Sequence, residues 1–379
     1  MEKLVAIPGP TPVVRSIQNE MGREIQAFGD PRFVQDYQNL LKDMKEIWDV
    51  TGEVFVIAGT GTLAMEMAIA NTTAAGDSIL LVSHGYFGDR FKEICERRNI
   101  NVDILQSKWG KIVPVDDIEK KLKEKEYQSL TITHVDTSTG VAAPIEEIGE
   151  MMKKYPNTLY IVDGVCATAG EREKLNAMNI DIILTGSQKA FGVSPGLAIL
   201  FASEKALYRR KSLGTIMDYY IDFEKWIPIM NDPSKYFATP PVNLIWALKE
   251  AINIIKNEGI ENRYKRHEEY RKATQAGLEA LGFTILPDLE CRANTLSNVL
   301  YMDGVDDAEF RKILAEEGVI VAGGLGEYAG KMFRYGHMGN IDKHFLVSVM
   351  AAIERTLIRC NVNFPPGVGV GKLLEKLND

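Results

Sequence analysis

Short apolar, β-rich runs alternate with helical stretches through residue 202, and this alternation constrains the fold more than any other feature of the chain. The runs lie at 54–58, 79–83, 102–105, 130–134, 159–163, 182–185 and 197–202, with helical patterns at 63–73, 87–98, 115–124 and 145–155 between them. Runs built almost continuously from Val, Ile and Leu are those of strands covered on both faces. The reading is an α/β fold: a seven-stranded, mostly parallel sheet with helices on both faces. At 379 residues the chain has room for that sheet and for a second domain.

Further along the character changes. Two long helices are expected at 242–257 and 260–281, then short strands at 283–286 and 298–302. A helix at 307–317, an extended piece at 332–335 and a closing helix at 341–359 follow, which together describe a smaller C-terminal α+β domain. The division is an N-terminal extended arm (1–20), a large domain (21–255) and a small one (256–379). Pro8-Gly9-Pro10-Thr11-Pro12 is the reason to expect no regular structure in the arm.

Several function classes are disfavoured at this stage. The net charge of −8 argues against non-specific nucleic-acid binding. The amino terminus has no apolar stretch long enough for a signal peptide, and no run reaches the length needed to span a bilayer. Cys95, Cys166, Cys291 and Cys360 are scattered with no CxxC pair, as expected for reduced thiols in a cytoplasmic protein without a zinc framework.

Parallel sheets place their chemistry at the C-terminal ends of the strands, so the residues just past each run matter most. Past the run 182–185 comes Gly186-Ser187-Gln188-Lys189-Ala190, which sets a lysine amine at the end of a buried strand. Asp163, 26 positions earlier, closes the run Leu159-Tyr160-Ile161-Val162. One crossover separates the two groups, so both can emerge at the same edge. A buried carboxylate without a cation is costly; a protonated pyridine nitrogen offsets that cost and is held protonated in return. Lys189 as a surface lysine would be unremarkable, whereas as a Schiff base it loses its charge. The pair is the minimal apparatus for pyridoxal 5'-phosphate, the plainer alternative being that Asp163 caps a helix.

Other segments add to this reading. Gly59-Thr60-Gly61-Thr62 opens a helix after the first strand, where glycines and unpaired N–H groups suit a phosphate, although a tight connection uses the same residues. It is not the dinucleotide fingerprint, because the third glycine is missing. In Gly85-Tyr86-Phe87-Gly88-Asp89-Arg90 an aromatic can stack on a flat ring or simply fill the core. Thr137-Ser138-Thr139-Gly140 clusters hydroxyls at another strand end, as many turns do, and His134 before it reads as a satisfied core histidine. Arg334, between Phe333 and Tyr335, is suited either to bidentate carboxylate recognition or to a structural ion pair.

Taken together and in order, these segments resemble the class V aminotransferases, specifically the alanine–glyoxylate / serine–pyruvate group. The resemblance runs from Pro8-Gly9-Pro10-Thr11-Pro12 to Phe333-Arg334, including Val162-Asp163-Gly164-Val165 and Gly186-Ser187-Gln188-Lys189-Ala190. It implies the fold-type-I architecture of pyridoxal-phosphate enzymes, and a homodimer with active sites shared at the subunit interface. Lys189 is then the Schiff-base lysine, Asp163 the partner of the pyridine nitrogen, and Val165 a packing residue against the ring. Phe87 takes the ring-stacking position where relatives often carry Trp. Gly59, Thr60, Gly61, Thr62, Thr137 and Gln188 fall at cofactor-binding positions, and Tyr236 and Thr239 are expected to reach the neighbouring subunit's phosphate. Arg334 holds the substrate carboxylate and Gly9 lines the substrate pocket. The implied reaction is a ping-pong transamination from alanine or serine to glyoxylate or pyruvate, with small-molecule amino and 2-oxo acids as the only partners besides the second subunit.

The same fold hosts cysteine desulfurases, which need a nucleophilic cysteine on a mobile loop shortly before the carboxylate-binding arginine. Cys291 lies 43 residues before Arg334 and Cys360 lies after it, so that reading is disfavoured. Transaminases for aminoethylphosphonate, ureidoglycine or pyridoxamine remain as alternatives, and a cofactor-binding protein without turnover is the different-class one. Gly367-Val368-Gly369-Val370-Gly371-Lys372 fails as a nucleotide loop: its spacing is one residue short and Leu373 stands where Ser or Thr is needed.

Overall fold

A computed structural model describes residues 3–377. Its first part runs β1 (Leu4–Val5), α1 (Arg15–Met21), α2 (Pro31–Trp48), β2 (Glu53–Ala58), α3 (Gly61–Thr72), β3 (Ser78–Ser83), α4 (Tyr86–Arg97) and β4 (Asn101–Gln106). Next come α5 (Val115–Leu122), β5 (Ser129–Thr133), β6 (Val135–Asp136), β7 (Val141–Ala142), α6 (Ile145–Met152), β8 (Leu159–Asp163), β9 (Ile182–Gly186) and β10 (Leu197–Ala202). Four helices follow: α7 (Glu204–Ser212), α8 (Phe223–Asn231), α9 (Val242–Glu258) and α10 (Ile260–Ala280). The last part holds β11 (Thr284–Ile285), β12 (Leu296–Leu300), α11 (Asp307–Glu316), β13 (Val319–Ile320), β14 (Ala322–Gly323), β15 (Met332–Gly336), α12 (Lys343–Arg359) and α13 (Val368–Leu377).

As the alternation predicts, a seven-stranded sheet forms, in the order β2-β10-β9-β8-β5-β3-β4. Its strand pairs are parallel except for β10, which runs antiparallel to both β2 and β9. Two reversals restore the direction, so β2 points the same way as the rest. Thr133 pairs with Asp163, and Asp163 with Leu184, so the C-terminal ends of β5, β8 and β9 lie level at one edge. Helix α3 is apolar around most of its circumference, with Thr62 and Glu66 exposed, because it is buried against β9 and β10.

The smaller sheet has four strands, in the order β11-β12-β15-β14. A second hydrophobic core covers it, in which the rings of Phe283, Phe310 and Phe333 meet edge-on and stacked. The P-loop-like glycine segment lies at the start of α13, where the Glu354 carboxylate accepts from Gly367 N–H (2.8 Å) and Val370 N–H (2.9 Å). That helix start is filled by the chain's own side chain.

Several expectations need correction. The first twenty residues are not wholly an extended arm: α1 begins at Arg15, three residues past the last proline, and buries Ile17. Helix α2 was not anticipated, although Asp30 caps it and Pro31 occupies its first turn. It buries Phe33, Leu40, Leu41 and Met44, each worth roughly 1.5–3 kcal/mol on leaving water. Helices α7, α8 and α13 likewise have no counterpart in the sequence pattern. The strand expected at 298–302 sits at Leu296–Leu300, because its register is set by pairing of Leu296 with Gly336 and Leu300 with Met332. His134 lies beyond β5, not within it.

Candidate active site

Where β5, β8 and β9 end, a cavity of about 150 Å³ opens, lined by Thr60, Gly61, Thr62, Phe87, Thr133, Thr137, Asp163, Val165, Cys166, Gln188, Lys189 and others. Larger hollows of about 440 and 750 Å³ lie elsewhere on the surface, and neither contains the lysine–aspartate pair. The smaller cavity is therefore the candidate site.

Lys189 sits on the turn after β9, and several distant segments fix that turn. Thr11 donates from its Oγ1 to the Lys189 carbonyl (2.8 Å) and from its N–H to the Gln188 carbonyl (3.0 Å). From α10, the buried Arg263 donates to the Ala190 carbonyl (2.6 Å) and to Asn340 Oδ1 (3.0 Å). The Lys189 amine itself donates to the Pro8 carbonyl. Gly9, at φ +95°, lies against the lysine stem so closely that a Cβ there would overlap it. Burial lowers the proton affinity of the amine, with Arg334 adding to the effect and Cys166 and Asp163 opposing it.

Asp163, only 2% exposed, accepts the Val165 N–H (2.9 Å). Burial pushes its carboxyl up to about 7, and the neighbouring Asp136 and Glu173 add to the rise while Arg90 offsets part of it. Behind it His134 Nδ1 and Glu173 Oε1 form a buried pair at 2.7 Å, so His134 is a satisfied core residue as its setting suggested. Asp136, fully buried, accepts from Phe87 N–H (3.0 Å), Gly88 N–H (3.1 Å) and both the N–H and hydroxyl of Ser138 (2.9 and 2.6 Å). It thereby ties the start of α4, which carries Phe87, to the turn after β5. Burial raises the Asp136 carboxyl as well, with these hydrogen bonds opposing.

At the start of α3, Thr60 caps the helix by accepting from Leu63 N–H (3.3 Å). A Cβ on Gly61 would come within 2.7 Å of Val165, so this glycine lets α3 begin against that valine. Arg90, one turn after Phe87, lies over the Phe87 ring (5.0 Å to its centroid) and donates to Thr62 Oγ1 (3.0 Å).

Not every expected residue lines this cavity. Gly59 lies behind it, against Leu63 and Ala198. Arg334, on β15, donates from Nε to the Gly323 carbonyl (2.8 Å) and is linked electrostatically to Cys166 and Asp136. Tyr236 is 64% exposed and Thr239 is exposed too, both outside this chain's own cavity. Sequence reasoning passed over Thr11, Arg90, Asp136 and Arg263. Thr11 and Arg90 stood inside segments already singled out and Asp136 directly before one; Arg263 carried no local signal, and the Thr11 and Arg263 contacts cross 178 and 73 positions.

The donor set fits a phosphorylated pyridine aldehyde. The Thr133 hydroxyl, a buried donor without a partner, and the Gln188 side chain line the cavity, whose walls also carry an amine suited to an aldehyde carbon and a carboxyl suited to a ring nitrogen.

Comparison with known proteins agrees. The family model for class V aminotransferases matches residues 13–337. An uncharacterized aminotransferase of Methanocaldococcus jannaschii is 37% identical, with 94% of this chain and 93% of that one covered. Alanine–glyoxylate aminotransferase 1 of Saccharomyces cerevisiae is 33% identical over 88% of this chain and 91% of its own. Among solved structures, the ureidoglycine–glyoxylate aminotransferase of Bacillus subtilis superposes with a TM-score of 0.94 at 26% identity, covering 100% and 99% of the two chains.

Proposed function

The chain belongs to the class V aminotransferases, and on that premise we propose that it moves the amino group of alanine or serine to glyoxylate or pyruvate. It is a pyridoxal-phosphate-dependent enzyme of the group that includes alanine–glyoxylate and serine–glyoxylate aminotransferases. The observation that carries the transaminase reading is the buried amine of Lys189, with Gly9 packed on its stem and Arg334 within electrostatic reach. These groups suit the amine and carboxylate common to all α-amino acids, and the choice of alanine or serine follows the similarity to alanine–glyoxylate and serine–glyoxylate aminotransferases.

Bound, the cofactor supplies an aldehyde carbon that condenses with amines and a ring that accepts electrons from the substrate's Cα. Lys189 Nζ would hold the aldehyde between turnovers. Once displaced by the donor's amine it moves the proton off the amino acid's Cα, a role that burial supports by keeping the amine readily uncharged. Asp163 would face the ring nitrogen and keep it protonated, an ion pair that gives the buried carboxylate a partner. Phe87 and Val165 would sandwich the ring, and Gln188, Gly61 and Thr62 would donate to the phosphate. Arg334 would orient the substrate carboxylate. Tyr236 and Thr239 would serve the second subunit's site.

The test is the visible spectrum of the holoenzyme as L-alanine, then L-serine, is added without acceptor. The yellow colour should fade and return with glyoxylate or pyruvate, while Lys189→Ala should show no such cycle. If neither amino acid bleaches the wild type, the substrate assignment falls, and ureidoglycine, aminoethylphosphonate and pyridoxamine are the next donors to add.

A further inference from the structure

Arg90 is the one cation lining the cavity, among the described residues, besides Lys189. Its only hydrogen bond among the described residues is to Thr62 Oγ1 (3.0 Å), and it has no carboxylate within ion-pair distance. The remaining guanidinium N–H groups thus have no protein acceptor. The side chain is nevertheless held in place. It lies over Phe87, 5.0 Å from the centroid, and 5.7 Å from that of Tyr86, as residues three and four apart on one helix face do.

The groups around the start of α3 are otherwise uncharged. Gly61 and Thr62 offer backbone N–H groups at a helix N-terminus, and Gln188 offers an amide. Lys189 is committed to the aldehyde end, and Arg334 interacts with Cys166 and Asp136. A phosphate carries about −1.5 to −2 charges at neutral pH, and a helix N-terminus offsets only about half a charge. A buried anion without a countercharge is expensive. We propose that Arg90 is the cationic ligand of the cofactor phosphate, turning its free N–H groups onto it from the Thr62 side. Phe87 then serves both ends of the cofactor: its ring stacks on the cofactor ring, and the guanidinium lying over it neutralises the phosphate. This rests on the cofactor assignment.

The experiment compares dissociation constants of pyridoxal phosphate and of pyridoxal, which lacks the phosphate, for the apo forms of wild type, Arg90→Gln and Arg90→Lys. Losing a charge-assisted hydrogen bond should weaken pyridoxal phosphate about 10- to 100-fold in Arg90→Gln. Pyridoxal should bind all three proteins alike, and Arg90→Lys, which keeps the charge but not the fork, should fall between. Equal weakening of both ligands would mean that Arg90 acts through the Phe87 ring or the fold, and would overturn the proposal. So would unchanged affinity for pyridoxal phosphate. Failure of the wild type to develop a Lys189-dependent yellow colour with pyridoxal phosphate would instead bring down the cofactor assignment, and the proposal with it.

Discussion

Asp163 shows how a single residue ties stability to chemistry. Burial lifts its carboxyl to about 7, whereas in the unfolded chain it titrates near 4. The native state therefore binds that proton more tightly than the unfolded state. Its contribution to stability is full below about pH 4 and is lost as pH rises through 7, by on the order of 4 kcal/mol as an upper bound. Asp163→Asn cannot ionise and should lack this slope. In chemical unfolding at pH 5 and pH 8, the apo wild type should lose stability relative to the variant, and added pyridoxal phosphate should restore the wild type alone. Parallel pH profiles for the two apo proteins would contradict the buried-carboxyl account. Lys189 and Asp163 were legible in the sequence because Asp163 closes an apolar run and Lys189 follows one within a few residues, and the end of a strand is a position that pattern alone can locate. Asp136 was not: an acid among Thr133, Thr137, Ser138 and Thr139 looks like turn chemistry until its two N–H donors on α4 are seen.

At the scale of elements, the strands of the large sheet were legible to within a residue or so because all but the half-buried edge strand β4 are buried on both faces and their apolar runs are nearly unbroken. The long helices α9 and α10 were legible too, while α2, α7, α8 and α13 were not. Helix α13 is the instructive case, since Gly369 and Gly371 within it argue against a helix on propensity. It forms because Leu373 packs into the second core and Glu354 satisfies its first N–H groups. Glu354→Ala should cost roughly 1–3 kcal/mol by leaving those donors unpaired, and Glu354→Gln, which keeps an acceptor, distinctly less. Urea unfolding midpoints of the three proteins measure this; identical midpoints would show that packing alone holds α13.

For the whole molecule, the placement of Tyr236 and Thr239 outside their own cavity supports our proposal of a homodimer with shared sites. Met217 at 92% and Tyr219 at 69% exposure also face solvent, and the Tyr219 ring meets that of Phe237, next to Tyr236. A subunit carrying Lys189→Ala and one carrying both Tyr236→Ala and Thr239→Ala should each be impaired alone. Unfolded together and refolded, their hybrids contain one site with every group intact, and activity should reappear. A protein that runs as a monomer in light scattering, or a mixture that stays inactive, would remove the shared-site proposal. By itself the sequence determined the sheet, the edge on which chemistry gathers, and the lysine and aspartate that stand there, because hydrophobic periodicity and strand ends are local properties. Only the tertiary structure decided what surrounds them: Thr11 and Arg263 on the lysine turn, Asp136 beneath Phe87, and Arg90 against Thr62. Those contacts join segments far apart in the chain, and nothing in a local pattern records which distant backbone a buried side chain will meet.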